Sequence, residues 1–269
     1  MTDLSNKVVL ITGAGGGFGY HMTSQFRAAG SRLILTDLAD EALAPAIEAA
    51  GDALVASTTA NLATDTGCEA LVESCEAAAV VPDVLVNNAG IGVSGRLDNI
   101  PRKKWESLMQ LNLLAPMRLC DRLLPAMVER GSGHIVNISS LAGWIGTRGL
   151  AAYCASKYGL RGFGEALAED LRAHDIRVTN IYPCFSRTPI LDSPQFGAEQ
   201  RRAVPEAIIS EPQDVVAAII RGVRGDRLHV FPDKQSRRVH ILKRFAPWLI
   251  PVLNRRLERE SMKAAEGAR

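Results

Sequence analysis

Apolar residues occur along the chain in short runs that alternate with longer stretches of helical periodicity. Seven runs rich in Val, Ile and Leu, without polar alternation, predict strands covered on both faces: 7–12, 32–36, 53–57, 83–87, 134–139, 177–182 and 228–231. Helical patterns separate them, at about residues 18–29, 39–50, 64–79, 101–130, 151–173 and 212–224. The alternation predicts an α/β fold, a Rossmann-like doubly wound seven-stranded parallel sheet. We expect one domain, residues 1–233, followed by a basic and apolar C-terminal extension, residues 234–269.

Composition narrows the class of protein. The 269 residues are 47% apolar and 22% charged, which is ordinary for a soluble globular chain, and the net charge of +2 argues against nucleic-acid binding. The five cysteines form no C-x-x-C pair and the five histidines are scattered, which predicts reduced thiols and no metal site. The N-terminus lacks the apolar core of a signal peptide and no window of about eighteen apolar residues occurs. A cytoplasmic protein is expected.

A glycine-rich loop, TGAGGGFG at residues 12–19, joins the first predicted strand to the first helix. Glycines permit a tight turn and let backbone N–H groups approach a pyrophosphate, which the positive end of the helix dipole stabilises. A glycine run alone is also typical of flexible loops, but its place between strand and helix favours dinucleotide binding. The predicted cofactor-binding residues here are Gly13, Gly15, Gly16, Gly17, Phe18 and Gly19.

Asp37 follows the second predicted strand, where a carboxylate can accept hydrogen bonds from the adenosine ribose hydroxyls. It would repel a 2′-phosphate, and neither the glycine loop nor Leu38 and Ala39 offers a Lys or Arg to hold one. The position therefore favours NAD over NADP as cofactor. Asp37 also has the position of a cap for the second helix.

The stretch YCASKY, residues 153–158, places two tyrosines and a lysine within six positions. In a helix of 3.6 residues per turn, Tyr153 and Lys157 share a face and Tyr158 points elsewhere. An acid/base pair and an ordinary amphipathic helix both fit this stretch taken alone.

Five motifs occur in order along the chain. They are TGAGGGFG, NNAG at residues 87–90, the Asn112 of QLNL, Ser140, which lies thirteen residues before Tyr153, and Y-x-x-x-K at residues 153–157. With these motifs the chain resembles the short-chain dehydrogenase/reductase family of the classical type, over about residues 5–231. The resemblance implies an oxidoreductase with a nicotinamide cofactor, assembled as a homodimer or homotetramer.

The resemblance implies a role for each catalytic residue. Tyr153 is the general acid for carbonyl reduction and the base for alcohol oxidation, and Lys157 stabilises its phenolate and hydrogen-bonds the nicotinamide ribose. Ser140 holds and polarises the substrate oxygen. Asn112 anchors, through its backbone, a water that links Lys157 to solvent; a hydrogen-bonded buried amide is the alternative for this residue. Tyr158 is expected to pack rather than react.

Further cofactor contacts carry over from the resemblance. Asn61 and Leu62 lie where the family contacts adenine. Asn88, Ala89 and Gly90 line the adenosine side, whereas Asn87 ties strands together. After the sixth strand the chain reads PCFSRT, residues 183–188, instead of the family's P-G-x-V-x-T. Ser186 there keeps a backbone contact to the carboxamide and Thr188 is available to the nicotinamide amide.

Substrate-facing positions are expected in the loops after the fourth, fifth and sixth strands, at the carboxyl edge of the sheet. The predicted pocket consists of Ser140, Ala142, Trp144, Tyr153, Phe185 and Ile190. Only Arg148 and Arg187 could clamp an anion, so an apolar or aromatic secondary alcohol or ketone is the predicted substrate. The alternative function is a non-catalytic NAD-binding sensor or scaffold.

Residues 234–269 carry ten Lys or Arg against three Asp or Glu, interleaved with Phe, Trp and Leu. Such a pattern resembles an interfacial membrane helix, although Pro247 and Pro251 break a continuous helix. Three alternatives stand at this point: peripheral contact with a membrane, packing on the pocket or on another subunit, and an exposed tail.

Overall fold

The computed structural model of the chain describes residues 2–197, 204–252 and 255–256. The strands are β1 (Val8–Thr12), β2 (Arg32–Asp37), β3 (Leu54–Thr59), β4 (Val84–Asn87), β5 (Ser94–Gly95), β6 (Gly133–Ile138), β7 (Ile176–Ile181), β8 (Gln195–Phe196) and β9 (His229–Val230). The helices are α1 (Gly17–Ala28), α2 (Asp40–Ala50), α3 (Asp65–Ala77), α4 (Arg102–Met109), α5 (Ala115–Arg130), α6 (Ala151–Asp170), α7 (Pro212–Arg224) and α8 (Lys234–Phe245). The seven predicted strands and six predicted helical regions are all present.

Seven strands form one parallel sheet in the order β3-β2-β1-β4-β6-β7-β9. The order reverses beside β1, so the crevice between the carboxyl ends of β1 and β4 is the switch point where such sheets bind ligands. The predicted doubly wound fold is confirmed. The two-residue strands β5 and β8 pair with each other outside this sheet, and the sequence did not predict them because such short strands carry no periodicity.

The core lies on both faces of the sheet because alternate strand residues point in opposite directions. On β1, Val9 and Ile11 pack against α1, α2 and α7, while Val8 and Leu10 pack against α3, α5 and α6. Both pairs are buried, which explains why the strand is apolar at every position. Within the part of the chain that the structure describes, every helix is too short or too polar to cross a bilayer.

The helical region predicted at 101–130 is interrupted. A π-helical turn, Gln110–Leu114, separates α4 from α5. π-Turns inside helices are frequent at functional sites, and this one contains Asn112.

Helix α8 belongs to the predicted extension but packs on the sheet domain. Asp233 caps its N-terminus, because its carboxylate accepts from the backbone N–H of Ser236 at 2.8 Å and its own N–H donates to the Ser236 hydroxyl at 3.3 Å. The carboxylate also accepts from the N–H of Cys184 at 2.8 Å, which ties the helix to the loop after β7. The division into residues 1–233 and 234–269 stays a prediction, and residues 253–254 and 257–269 lie outside the described part.

Candidate active site

The glycine loop follows β1 directly and opens α1. Gly13 has φ of +65°, and a Cβ there would lie 2.9 Å from the Cα of Ala89, so only glycine fits. A Cβ would also clash at three further glycines of the loop. It would meet the carbonyl of Ala42 at Gly15, the side chain of Thr188 at Gly17, and the carbonyl of Gly13 at Gly19. The chain itself therefore requires most of these glycines.

Gly16 has a different reason to be glycine. A Cβ at Gly16 would meet no protein atom closer than 3.5 Å, so its outer side is open. It precedes α1, whose N-terminus has no side-chain cap and no acidic residue in its first turn. An uncapped helix start beside an open glycine fits a phosphate group. Phe18 instead packs partly against the apolar core.

Asp37 ends β2 and reaches back to the glycine loop. Its carboxylate accepts from the backbone N–H of Gly15 at 2.9 Å and from that of Leu38 at 2.7 Å. Helix α2 begins at Asp40 with Ala39 before it and no side-chain cap, so the alternative of Asp37 as a helix cap is wrong. A carboxylate has about four acceptor positions, which leaves Asp37 able to accept from a ribose.

Asn88 holds the glycine loop against the end of β4. Its side-chain amide donates to the carbonyls of Thr12 and Gly13 at 2.9 and 3.0 Å. The Thr12 hydroxyl in turn accepts from the N–H groups of Asn88 and Ala89, both at 3.0 Å. This network positions the loop, and the contact of Asn88, Ala89 and Gly90 with adenosine stays a prediction.

Asn87 ties strands together, as predicted. Its amide donates to Asn137 at 2.9 Å, and Asn137 donates to Asn180 at 3.1 Å, which makes an asparagine ladder across β4, β6 and β7. The sequence analysis did not identify Asn137 or Asn180. The signal was present, since each is an asparagine inside an apolar strand.

Asn61 and Leu62 follow β3. Asn61 is exposed and its side-chain oxygen accepts from the N–H of Ala63 at 3.1 Å. The Leu62 side chain is buried in the core, so only the Leu62 backbone is available to contact a ligand. Their contact with adenine stays a prediction.

Tyr153 and Ser140 meet at the carboxyl edge of the sheet. Tyr153 lies in the first turn of α6, and its ring packs against Val93 and Leu108. Its hydroxyl shares a hydrogen bond with Ser140, whose oxygen also accepts from the N–H of Ala142 at 3.1 Å. Burial raises the pKa of Tyr153 to about 12, against a smaller opposing effect of the Ser140 hydrogen bond. The phenol is therefore protonated at neutral pH.

Lys157 lies one turn further along α6, with Nζ 5.8 Å from the centroid of the Tyr153 ring. It is buried and donates to the carbonyl of Ile138 at 2.9 Å. Burial lowers the pKa of Lys157 to about 8. A Cβ at Gly90 would lie 3.5 Å from Nζ and 3.1 Å from the Asn112 side-chain oxygen, so this glycine leaves room beside the lysine.

Asn112 is a buried amide held by the backbone of Ile91. Its oxygen accepts from the Ile91 N–H and its nitrogen donates to the Ile91 carbonyl, both at 2.9 Å. The side chain thus joins the π-turn to the loop after β4. The alternative of a hydrogen-bonded buried amide is confirmed for the side chain, and the water bound by its backbone stays a prediction.

Two neighbours of the predicted catalytic residues, Ser139 and Tyr158, have structural contacts. Ser139 donates to the carbonyl of Lys157 at 2.9 Å, away from Ser140. Tyr158 donates to the carbonyl of Trp144 at 2.7 Å. Of the two, Tyr158 was expected from the sequence to pack rather than react.

The Trp144 ring lies in an aromatic cluster with Tyr182, Phe231 and His240, at centroid distances of 5.2, 5.0 and 5.1 Å. The Arg161 guanidinium stacks 3.8 Å from its centroid. The sequence analysis did not foresee this cluster, because its members are far apart along the chain. Trp144 as a pocket residue stays a prediction, as does Ala142, which is buried beside Ser140.

The loop after β7 supplies Phe185, Ser186, Thr188 and Ile190. Ser186 is buried, and its hydroxyl has no hydrogen-bond partner within the described chain. A buried hydroxyl without a hydrogen-bond partner costs free energy unless a ligand supplies the partner. The side chain of Thr188, beside it, lies against Gly17 of the glycine loop. This arrangement fits a carboxamide next to the glycine loop. Phe185 is half-buried and Ile190 is exposed.

Arg187 is not available to clamp an anion. It forms ion pairs with Glu206 and, at 3.0 Å, with Glu211. Its charge is thereby compensated on the outer side of the loop. This removes one of the two arginines that the sequence offered for binding an anionic substrate.

Comparisons with known proteins agree with this geometry. A family model described as short chain dehydrogenase matches residues 7–195. Ketoacyl reductase HetN of Nostoc sp. is 32% identical over 235 residues, which cover 86% of this chain and 79% of that protein. Epidermal retinol dehydrogenase 2 of Homo sapiens is 29% identical over 251 residues, covering 91% and 80%, respectively.

Solved structures show the same fold with either cofactor. The 3-ketoacyl-(acyl-carrier-protein) reductase of Brucella melitensis, complexed with NADH, has a TM-score of 0.75 at 26% identity and covers 84% of this chain and 95% of its own. A metagenomic short-chain oxidoreductase in complex with NADP has a TM-score of 0.69 at 33% identity, covering 86% and 98%. The fold alone therefore does not select between the two nucleotides.

Proposed function

Because the chain belongs to the short-chain dehydrogenase family, we propose that it transfers a hydride between NAD(H) and a secondary alcohol or ketone, with Tyr153 as general acid and base. The observation that carries the proposal is the meeting of Ser140, Tyr153 and Lys157 at the carboxyl edge of the sheet, next to the glycine loop. Such a set is expected of an enzyme rather than of a sensor or scaffold, which needs only the nucleotide site.

The protonated state of Tyr153 suits ketone reduction. A phenol is protonated at neutral pH even at its ordinary pKa of about 10, so Tyr153, whose pKa burial raises further, can donate to the carbonyl oxygen as negative charge develops there. Ser140 holds the same oxygen by a hydrogen bond. Lys157, charged below its pKa of about 8, stabilises the phenolate that remains. The bound nicotinamide supplies the hydride, and its oxidised form supplies a second positive charge for the reverse direction.

Asp37 supports NAD(H) as the cofactor. Its carboxylate is fixed by Gly15 and Leu38 at the end of β2, and neither Leu38 nor Ala39 carries a positive charge. A 2′-phosphate placed there would meet a negative charge and no partner. The wild-type enzyme should have a kcat/KM for NAD⁺ at least about tenfold above that for NADP⁺, the ratio that 1.4 kcal/mol of repulsion produces. Equal values for the two nucleotides would show that Asp37 does not select the cofactor.

The substrate is proposed to be an apolar or aromatic alcohol or ketone. Phe185 and Ile190 supply apolar surface near the site, and Arg187 is neutralised by its glutamates. The names of two relatives, a ketoacyl reductase and a retinol dehydrogenase, both describe an oxygen function joined to apolar carbon. A homodimer or homotetramer completes the proposal by analogy with the family.

The proposal is tested by Tyr153→Phe, with Tyr158→Phe as the matched control. A panel of hydrophobic ketones with NADH, followed by loss of NADH absorbance, gives kcat/KM for each variant. We expect a loss of about 10²- to 10⁴-fold for Tyr153→Phe, the usual contribution of general acid catalysis, and none for the control. NADH binding should persist in both variants, since the phenol is not the main nucleotide contact.

Two results would contradict the mechanism. Turnover by Tyr153→Phe at the wild-type rate would exclude Tyr153 as the acid. NADH binding by the wild type without turnover of any ketone or alcohol in the panel would favour the sensor or scaffold.

A further inference from the structure

Exposed apolar residues are concentrated at the C-terminal side of the molecule. Five large apolar side chains within Ile241–Val252 are exposed, whereas the other eight in the described chain are scattered over more than 150 residues. We call these five the tail patch: Ile241, Phe245, Trp248, Leu249 and Val252. Phe245 and Trp248 are each 69% exposed, which is unusual for aromatic residues of this size.

The outward direction of the tail patch is fixed by what α8 buries. Val239 and Ser236 are buried on the inner face, and the His240 ring stacks on Phe231 at 4.1 Å. The opposite face carries Lys234, Arg238, Ile241 and Phe245, all exposed, at successive spacings of 4, 3 and 4 residues. These spacings define one helical stripe, with basic residues at its start and apolar residues at its end.

A short turn extends the stripe beyond the helix. Pro247–Leu249 forms one turn of 3-10 helix, with Trp248 and Leu249 exposed. The prolines interrupt the helix, but the tail patch continues past them. Ile250, between these exposed residues, packs inward beside Leu141 and Ile145.

The charge around the tail patch has one sign. Residues 234–252 contain five Lys or Arg and no Asp or Glu. The Arg244 guanidinium lies 5.6 Å from the centroid of the Phe245 ring, so a cation adjoins one of the two most exposed aromatic side chains of the described residues. Two copies meeting through this face would bring like charges together, which disfavours self-association. A surface with negative charges and an apolar interior is complementary to it.

We propose that the tail patch docks the enzyme on the surface of an anionic lipid bilayer. Ile241, Phe245 and Trp248 enter the boundary between headgroups and acyl chains, while Arg238 and Arg244 contact anionic headgroups. The helix lies in the plane of the interface and spans nothing.

Docking would hold the substrate side of the enzyme close to the membrane. Lys243 on α8 donates to the carbonyl of Trp144 and lies 5.5 Å from the Tyr158 ring centroid. Trp144 follows Ser140 by four residues and Tyr158 is adjacent to Lys157, so α8 is joined directly to the catalytic segments. If the proposed oxidoreductase activity is right, an apolar substrate in the bilayer lies near the site. The docking itself does not depend on that activity.

The test is sedimentation of the full chain with vesicles of phosphatidylcholine and phosphatidylglycerol, compared with phosphatidylcholine alone. Wild type should bind the anionic vesicles at low salt and dissociate at high salt. Arg238→Gln with Arg244→Gln removes two cations, and should weaken binding about thirtyfold, from about fivefold for each Lys or Arg at such a surface. The exposed pair Lys103→Gln with Lys104→Gln has the same charge change and should leave binding unaltered.

The apolar part is tested by Phe245→Ala with Trp248→Ala, against the exposed control Leu97→Ala. The double variant should lose binding, and the control should keep it. Absence of wild-type binding to anionic vesicles at low salt overturns the proposal. Equal weakening by the two charge variants also overturns it, because the attraction would then be non-specific. A third result would overturn it as well: the wild type forms an oligomer and binds no vesicles, and the Phe245→Ala with Trp248→Ala variant is dissociated. The tail patch would then be the contact with a second copy of the chain.

Discussion

Replacing Lys157 by Met tests whether burial of this proposed catalytic lysine lowers the stability of the fold. The side chain is buried. Among the described hydrogen bonds, its ammonium group donates only to the carbonyl of Ile138, which carries no charge. Burial lowers the pKa of Lys157 from its ordinary 10.5 to about 8. Methionine has a similar length and no charge, so the variant removes the titration and keeps most of the volume.

The sign of the effect follows from proton binding. Between the folded pKa of about 8 and the unfolded pKa of 10.5, the unfolded chain holds the lysine proton more firmly than the folded one. The free energy of unfolding contributed by Lys157 therefore rises with pH, and is lost as pH falls through this window. From about pH 7 to about pH 9.5, these two pKa values give wild type a gain of about 2 kcal/mol relative to Lys157→Met. The Ile138 carbonyl, left without its donor, costs about 1–3 kcal/mol at every pH and does not alter the slope.

The assay is urea unfolding of cofactor-free protein at a series of pH values, with both proteins at one concentration. The quantity compared is the difference in free energy of unfolding between wild type and Lys157→Met. A difference that stays constant with pH would mean that Lys157 titrates near its ordinary pKa, and the argument from burial would fail. A difference that changes in the opposite direction would mean that an anion raises its pKa.

Two further predictions concern the two glycines of α6 and the buried His134. Gly162 and Gly164 lie in the middle of α6, but a Cβ at Gly162 meets nothing within 4 Å, whereas one at Gly164 would lie 2.7 Å from the Asn137 amide of the asparagine ladder. We expect Gly162→Ala to stabilise by about 0.5–1 kcal/mol and Gly164→Ala to destabilise by about 1–3 kcal/mol, measured by thermal and urea unfolding; the same sign for both would contradict this packing. Burial lowers the pKa of His134 from 6.5 to about 4, so the unfolded chain binds the extra proton in that window and stability falls as the solution is acidified. Wild type should lose about 3 kcal/mol relative to His134→Asn between about pH 7 and pH 4, and parallel pH profiles of the two proteins would refute it.

Local spacing was sufficient to predict that the proposed acid/base pair shares one helix face. Tyr153 and Lys157 share a helix face because of the 3.6-residue period, whatever surrounds the helix. The glycines between β1 and α1 were likewise identified by their order along the chain. Contacts with distant residues decided between the alternatives that the sequence left open: Asp37 bonds to Gly15 and does not cap α2, and the Asn112 side chain bonds to Ile91.

The sequence by itself determined the seven strands of the main sheet, the sheet class and the shared helix face of Tyr153 and Lys157, because both-face burial and helical periodicity are properties of neighbouring residues. The tertiary structure alone decided which groups meet across the chain. It brought Trp144 against α8, paired Arg187 with two glutamates, and left the Ser186 hydroxyl buried without a partner in the described chain. The extension showed the same division: its composition predicted an amphipathic segment, but only the packing of Val239 and His240 against the sheet domain decided that Ile241, Phe245 and Trp248 face outward. A side chain's partners depend on contacts that close over long chain separations, and no local pattern encodes these.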